Sequence, residues 1–110
     1  MIIYLISSEI NNEILYKIGI TKRNVKSRLK ELKTGNAATL SIVSQFESKW
    51  AFKIETNLHQ RFSSLNISGE WFRLSNNDVE SFIDMCRKLH ETFDFLAVNN
   101  TWLIDKKILK

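Results

Sequence analysis

Two charged residues in this 110-residue chain sit at the margins of apolar helix stripes, where a core alone has little use for them. Arg28 lies in Val25-Lys26-Ser27-Arg28-Leu29, and Glu55 in Ile54-Glu55-Thr56-Asn57-Leu58-His59. At roughly 100° per residue, Arg28 falls about 60° from the centre of the Val25/Leu29/Leu32 stripe. Glu55 falls about as far from the centre of the Ala51/Ile54/Leu58/Phe62/Leu65 stripe. Side chains at such borders line clefts, although one alone often merely snorkels to solvent. Together they supply two of the three parts that phosphodiester hydrolysis needs. Arg28 offers a bidentate fork for a phosphate, and Glu55 offers a carboxylate for a divalent ion. Mg²⁺ often takes only one or two carboxylates and completes its shell with water and phosphate.

The third part, a base for water, is sought in a hairpin that precedes both helices. Its strands read Ile3-Tyr4 and Lys17-Ile18-Gly19. With an even-numbered turn, Tyr4 shares a face with Lys17 and Gly19. Gly19 leaves room beside the phenol, and an ammonium near a phenol favours the phenolate. Tyr4 and Lys17 are therefore the expected water-activating pair. His59 stands four residues after Glu55 on one helix, which by itself is a thin metal signature. It is expected to support Glu55 or to touch phosphate. There is no zinc-spaced Cys/His set, glycine-rich phosphate loop or nucleophilic Ser/His/Asp pattern.

The elements that must position these groups are short and regular. Ile2 to Ser7 reads as a strand, Ser8 to Glu13 as a turn and Leu15 to Thr21 as a second strand. Asn24 caps a helix that Gly35 ends. Leu40 to Phe46 is a third strand, and a second helix runs from about Trp50 to Ser64. Glu70 to Leu74 is a short extended piece, with Glu70 and Trp71 read as a structural edge. Asn77 is expected to cap a third helix carrying Val79, Phe82, Ile83, Cys86 and Leu89. The resulting class is α/β (α+β), a small α/β sandwich with helices on a mostly antiparallel sheet. One domain is expected, with a core over 1–75 and a C-terminal helix and tail over 76–110.

Charge is unevenly placed. Lys17, Lys22, Arg23, Lys26, Arg28, Lys30 and Lys33 face only Glu31, giving that segment +6 against +4 for the whole chain. Asp78 to Asp94 carries −3. One end should attract polyanions, with Lys22, Arg23, Lys26, Lys30 and Lys33 as the nucleic-acid contacts. A merely solvated helix face is the other reading of the same charges. No apolar run is long enough to span a bilayer. The single Cys86 and the absence of a basic leader point to a soluble, cytoplasmic protein.

In order and spacing, Ile3-Tyr4-Leu5, Lys17-Ile18-Gly19-Ile20-Thr21, Arg28-Leu29, Glu55-Thr56-Asn57-Leu58-His59 through Phe62, and Gly69-Glu70-Trp71-Phe72 resemble the GIY-YIG nucleases, and more closely their small phage- and bacterial-type branch. The match spans about Ile2 to Leu74. The resemblance implies a three-stranded antiparallel sheet flanked by helices in β-β-α-β-α order. It also implies cleavage dependent on Mg²⁺ or Mn²⁺, with Tyr4 assisting the attacking water, Arg28 stabilising the phosphate and Glu55 holding the metal. His59, Gly19 and Thr21 are supporting positions. Two positions depart from the pattern: Ile2 replaces the first motif's glycine, and Lys17 the second motif's tyrosine.

The expectation is therefore a metal-dependent endonuclease acting on nucleic acid, read as DNA. A non-cleaving nucleic-acid-binding module on the same fold is the alternative, and a protein-interaction domain the third. No separate recognition domain is evident, so specificity is low or supplied by a protein partner. The tail Trp102-Leu103-Ile104 with Ile108-Leu109 either packs back on its own domain or forms a weak homodimer contact.

Overall fold

In the computed structural model, which describes residues 1–35 and 37–99, a two-residue turn decides the register of the chain's first hairpin. Strand β1 (Ile2–Ile10) and strand β2 (Glu13–Thr21) are longer than the sequence suggests and leave only Asn11 and Asn12 between them. Both asparagines have positive φ, 53° and 64°, the backbone of a primed hairpin turn that asparagine tolerates. The even turn pairs Tyr4 with Gly19 and Ile6 with Lys17. The expected shared face of Tyr4, Lys17 and Gly19 therefore forms.

Helix α1 (Val25–Lys33) starts where Asn24 accepts a hydrogen bond from the Ser27 amide at 2.8 Å. It ends before Gly35, whose φ of +70° suits a residue without Cβ. Strand β3 (Thr39–Glu47) lies on the other side of β1, with a bulge opposite Leu5 and Ile6. Helix α2 (Ala51–Arg61) follows, then a 3₁₀ turn (Ser63–Leu65) and two very short strands, β4 (Asn66–Ser68) and β5 (Trp71–Phe72).

The sheet has five strands in the order β3-β1-β2-β5-β4, all neighbours antiparallel. The three-stranded expectation is corrected: the extended piece at Trp71 and Phe72 joins β2 and brings β4 with it. Strands of two and three residues carry no period by which a sequence could reveal them.

Helix α3 (Asn76–Glu80) and helix α4 (Phe82–Asn99) replace the single third helix expected from Asn77. Ser75 is the true cap. It forms a reciprocal capping box with Asp78, which places Asn77 inside the helix.

Side-chain alternation divides the core. Tyr4 and Ile6 meet Val25 and Leu40 on one sheet face, with Leu29 and Leu32 of α1 packed against them. Ile3, Leu5, Tyr16 and Ile18 meet Ala51, Ile54 and Leu58 of α2, and Phe82 and Cys86 of α4, on the other. Burial pushes the Cys86 thiol up to about 12, in keeping with an inert packing residue. No helix among the described residues is long and apolar enough to cross a membrane. The tail proposed as a dimer contact lies outside the described residues.

Candidate active site

The candidate residues gather at the outer edge of β2, where the sheet's pairing is short. Strand β5 pairs with β2 only at Tyr16 and Lys17, and the Ile18 amide donates to the Glu70 carbonyl at 3.1 Å. Beyond that point, side chains rooted on opposite faces of the sheet reach one another.

On the α1 face, the Tyr4 ring lies across Gly19. A Cβ on Gly19 would come within 2.6 Å of the Tyr4 Cζ and closer still to its hydroxyl. The absence of a side chain at 19 is thus what lets the phenol extend over β2. Tyr4 is wholly buried. Its hydroxyl accepts a hydrogen bond from the Arg28 Nε at 3.3 Å. Arg28, half-buried, also pairs through Nη1 with Glu31 at 3.1 Å. The Tyr4 contact and Glu31 together hold its guanidinium above its ordinary value. The cation beside Tyr4 is therefore Arg28, one turn into α1, and not Lys17.

Lys17 instead points its ammonium at the Glu70 carboxylate, 2.5 Å away, and lies 5.8 Å from the centre of the Trp71 ring. Its side chain is 9% exposed, against 39% for Glu70. An almost buried lysine with a single carboxylate partner needs that partner. Glu70, read from the sequence mainly as part of a structural edge, is thus the ion-pair partner of Lys17, a contact that sequence reasoning did not foresee. The signal lay in Gly69-Glu70-Trp71-Phe72, but the pairing spans 53 residues and depends on how β5 registers against β2.

On the α2 face stand Glu55 and His59. The His59 Nε2 meets the Ile18 carbonyl at 2.9 Å. A carbonyl only accepts, so Nε2 donates in this contact. The ring also stands edge-on to Phe72, with centroids 4.9 Å apart. Glu55 Oε2 is buried and has no hydrogen-bond partner. Burial raises the Glu55 carboxyl above its ordinary value, and the negative Glu70 nearby adds to the shift, against the smaller opposing pull of His59 and Lys17.

The site therefore holds a buried oxygen that lacks positive charge. Ligand atoms of Glu55, His59 and Glu70 all lie within 4.8 Å of one another. Two carboxylates and an imidazole fit a divalent cation, which would supply the missing charge.

The remaining sequence candidates lie at the end of β2 and along α1, which packs against β3 and β1. Thr21 ends β2, where its hydroxyl accepts from the Arg23 amide at 3.1 Å; it shapes the turn into α1. Lys22, Arg23, Lys26, Lys30 and Lys33 are all exposed. Arg23 is paired to Glu31. The four lysines make no ion pair among the described residues. Arg23 and Arg28 thus share one acid, Glu31.

No curated protein and no solved structure matches the chain. A family model does match: the T5orf172 domain, over residues 1–87. Among the described residues, that span takes in every strand, α1 to α3, the first six residues of α4 and all the residues of the β2 edge. The chain belongs to the T5orf172 domain family, part of a nuclease-like superfamily related to endonucleases of the GIY-YIG and HNH types.

Proposed function

We propose that this protein is a divalent-metal-dependent endonuclease of the GIY-YIG type, of the small phage- and bacterial-type branch, that hydrolyses phosphodiester bonds in DNA. The observation that carries this reading is the buried, unpartnered Glu55 oxygen beside His59 and Glu70, at the same strand edge toward which Tyr4 and Arg28 extend. A fold that only binds nucleic acid gains nothing from an unpaired buried carboxylate oxygen, which costs stability.

Each group has a role that follows from its position. Glu55 holds Mg²⁺ or Mn²⁺, with His59 and Glu70 within reach of the same ion. The ion, when bound, supplies charge for the developing phosphorane and the leaving oxygen. Arg28 binds a phosphate oxygen through Nη2, the guanidinium nitrogen engaged by neither Tyr4 nor Glu31. Tyr4, as a phenolate stabilised by the Arg28 Nε–H, accepts the proton of the attacking water and becomes the phenol. His59 keeps its ring fixed on the Ile18 carbonyl beside Glu55 and Glu70. The exposed lysines of α1 hold the flanking backbone.

A second reading, a non-cleaving DNA-binding module, draws on one specific observation: Tyr4 has no exposed surface. A base must reach its water, so cleavage requires the Arg28–Tyr4 contact to loosen when substrate enters. Incubation with supercoiled plasmid in Mg²⁺, Mn²⁺ or EDTA separates the two. Nicking that needs the metal is the expected result. Salt-dependent binding without nicking in either metal would replace the nuclease with the binding module.

A further inference from the structure

Glu70 faces two cationic demands at once. Lys17, nearly buried, takes its carboxylate at 2.5 Å. Glu55, with one oxygen unpartnered, and His59 present ligand atoms within 4.8 Å of a Glu70 oxygen. A carboxylate has two oxygens, but a shared hold weakens both partners. The ammonium is a compact point charge on a flexible stem, so it can give up Glu70 where a rigid fork could not. Lys17 also leaves β2 on the Tyr4 face, because its cross-strand partner is Ile6 and that of Tyr4 is Gly19. An ammonium released from Glu70 therefore has its next anionic partner on the side where substrate phosphate would approach Arg28.

We infer that Glu70 exchanges cations: it pairs with Lys17 in the metal-free protein and with the divalent ion in the loaded one, so that Lys17 is freed toward substrate phosphate only when the site holds metal. This rests on Glu55 as the metal ligand. Lys17 is then a metal-gated phosphate ligand, and Glu70 the positioning residue that gates it.

The test measures Mn²⁺ binding to the full chain by calorimetry, without substrate, in wild type, Glu55→Gln, Glu70→Gln, Lys17→Met and the Lys17→Met/Glu70→Gln pair. Methionine keeps the buried apolar stem of Lys17, and glutamine keeps the shape of Glu70. Circular dichroism confirms that each variant is folded before titration. Glu70→Gln is expected to weaken Mn²⁺ binding at least tenfold. Lys17→Met is expected to tighten it by roughly tenfold, the scale of changes to the immediate partners of metal ligands.

The double variant decides the cause, because interaction between neighbours appears as non-additivity. If Lys17 acts by occupying Glu70, its removal does nothing once Glu70 is gone. If the tightening persists in the Glu70→Gln background, Lys17 acts only through its field, and the exchange is overturned. Unchanged affinity in Glu70→Gln alone also overturns it, while leaving Glu55 as the ligand. Unchanged affinity in Glu55→Gln instead removes the metal assignment itself, and the exchange with it. A readout free of turnover comes from Trp71, on whose ring Lys17 rests. Mn²⁺ is expected to change tryptophan emission in wild type but not in Trp71→Phe, and a spectrum indifferent to Mn²⁺ would mean that Lys17 stays where it is.

Discussion

Two clusters in this protein contain a histidine beside a carboxylate, and they have opposite characters. At the β2 edge, Glu55, His59, Glu70 and Lys17 leave one buried oxygen without a partner. At the junction of β3 and α2, Ser48, His90 and Asp94 offer the residue types of a hydrolytic triad, yet every atom is occupied. The Ser48 hydroxyl accepts from the Trp50 amide at 2.9 Å and meets His90 Nδ1 at 2.6 Å. His90 Nε2 faces Asp94 at 3.1 Å. Trp50 Nε1 donates to Asp94 at 2.8 Å, and Lys49 adds a pair at 3.2 Å.

The two carboxyls shift in opposite directions for this reason. The Trp50 donor, followed by Lys49, holds Asp94 below its ordinary range, while burial and Glu70 push Glu55 above it. Ser48 is also buried, 2% exposed, and has no route to a substrate. The junction is a clasp that ties α4 to the start of α2. Residue types in proximity do not make a site; an unmet demand for charge is the better guide.

The largest effect that would sharpen this contrast is expected from Glu55→Gln. Cleavage should fall below detection, because the anionic ligand is lost at nearly constant shape. The metal-free protein should at the same time become more stable at neutral pH. The sign follows from the raised carboxyl: the fold favours its protonated form, so the folded state binds more protons than the unfolded one between the ordinary and raised values. Stability contributed by the protonated group is present below the ordinary value of 4.5 and is lost as pH rises through that window. Glutamine removes that loss. Thermal melts at pH 4 and pH 7.5 check it, and a variant less stable than wild type at both would mean that Glu55 is structural.

Arg28→Ala comes next. Losing a positioned cation of this kind costs about 10²–10³ in rate. DNA affinity should change little, because Lys22, Lys26, Lys30 and Lys33 remain. Single-turnover cleavage and a binding titration separate the two quantities.

Gly19→Ala should cost about 1–3 kcal/mol of stability through overpacking and should slow cleavage as well. Tyr4 fills the space that the methyl would need and, being buried, cannot swing aside. Urea melts measure the first effect and plasmid nicking the second.

The smallest effect belongs to the clasp. Ser48→Ala removes the hydroxyl that serves the Trp50 amide and His90, for about 1 kcal/mol in a urea melt, with the cleavage rate unchanged. A cleavage loss in Ser48→Ala that matched the one in Glu55→Gln would erase the distinction between the clusters.

Much of this was legible in the chain, and the illegible remainder has a physical cause. The Tyr4/Gly19 face could be read because hairpin parity is a local rule. The border positions of Arg28 and Glu55 could be read because a helix imposes its own period. Asn24 as a cap and Gly35 as a stop are likewise local chemistry. What was hidden depends on contacts between distant segments. The two-residue strand β5 carries no period, so neither its pairing with β2 nor the Lys17–Glu70 bond could be foreseen. The partner of the Tyr4 hydroxyl was misassigned for a related reason. Strand parity brings Lys17 to the same face but does not say which of two nearby cations reaches the oxygen, and the strand edge drew Lys17 away. Ser75 was passed over as a cap because Asn77 offered the same chemistry two residues later.

The Asn11-Asn12 turn has a consequence far from where it sits. It lies at the opposite end of the hairpin from Tyr4 and Gly19, yet its length is what keeps Lys17 on the phenol's side of the ribbon. Loop-length variation here is subject to a parity rule. Two added residues lengthen the tip and leave the chemistry alone. One added residue must be absorbed by a bulge, or it turns every side chain of β2 over and moves the lysine away from Tyr4. In a library of tip insertions selected for cleavage, survivors should come in even sizes, a trace left by the active site in a loop that never touches it.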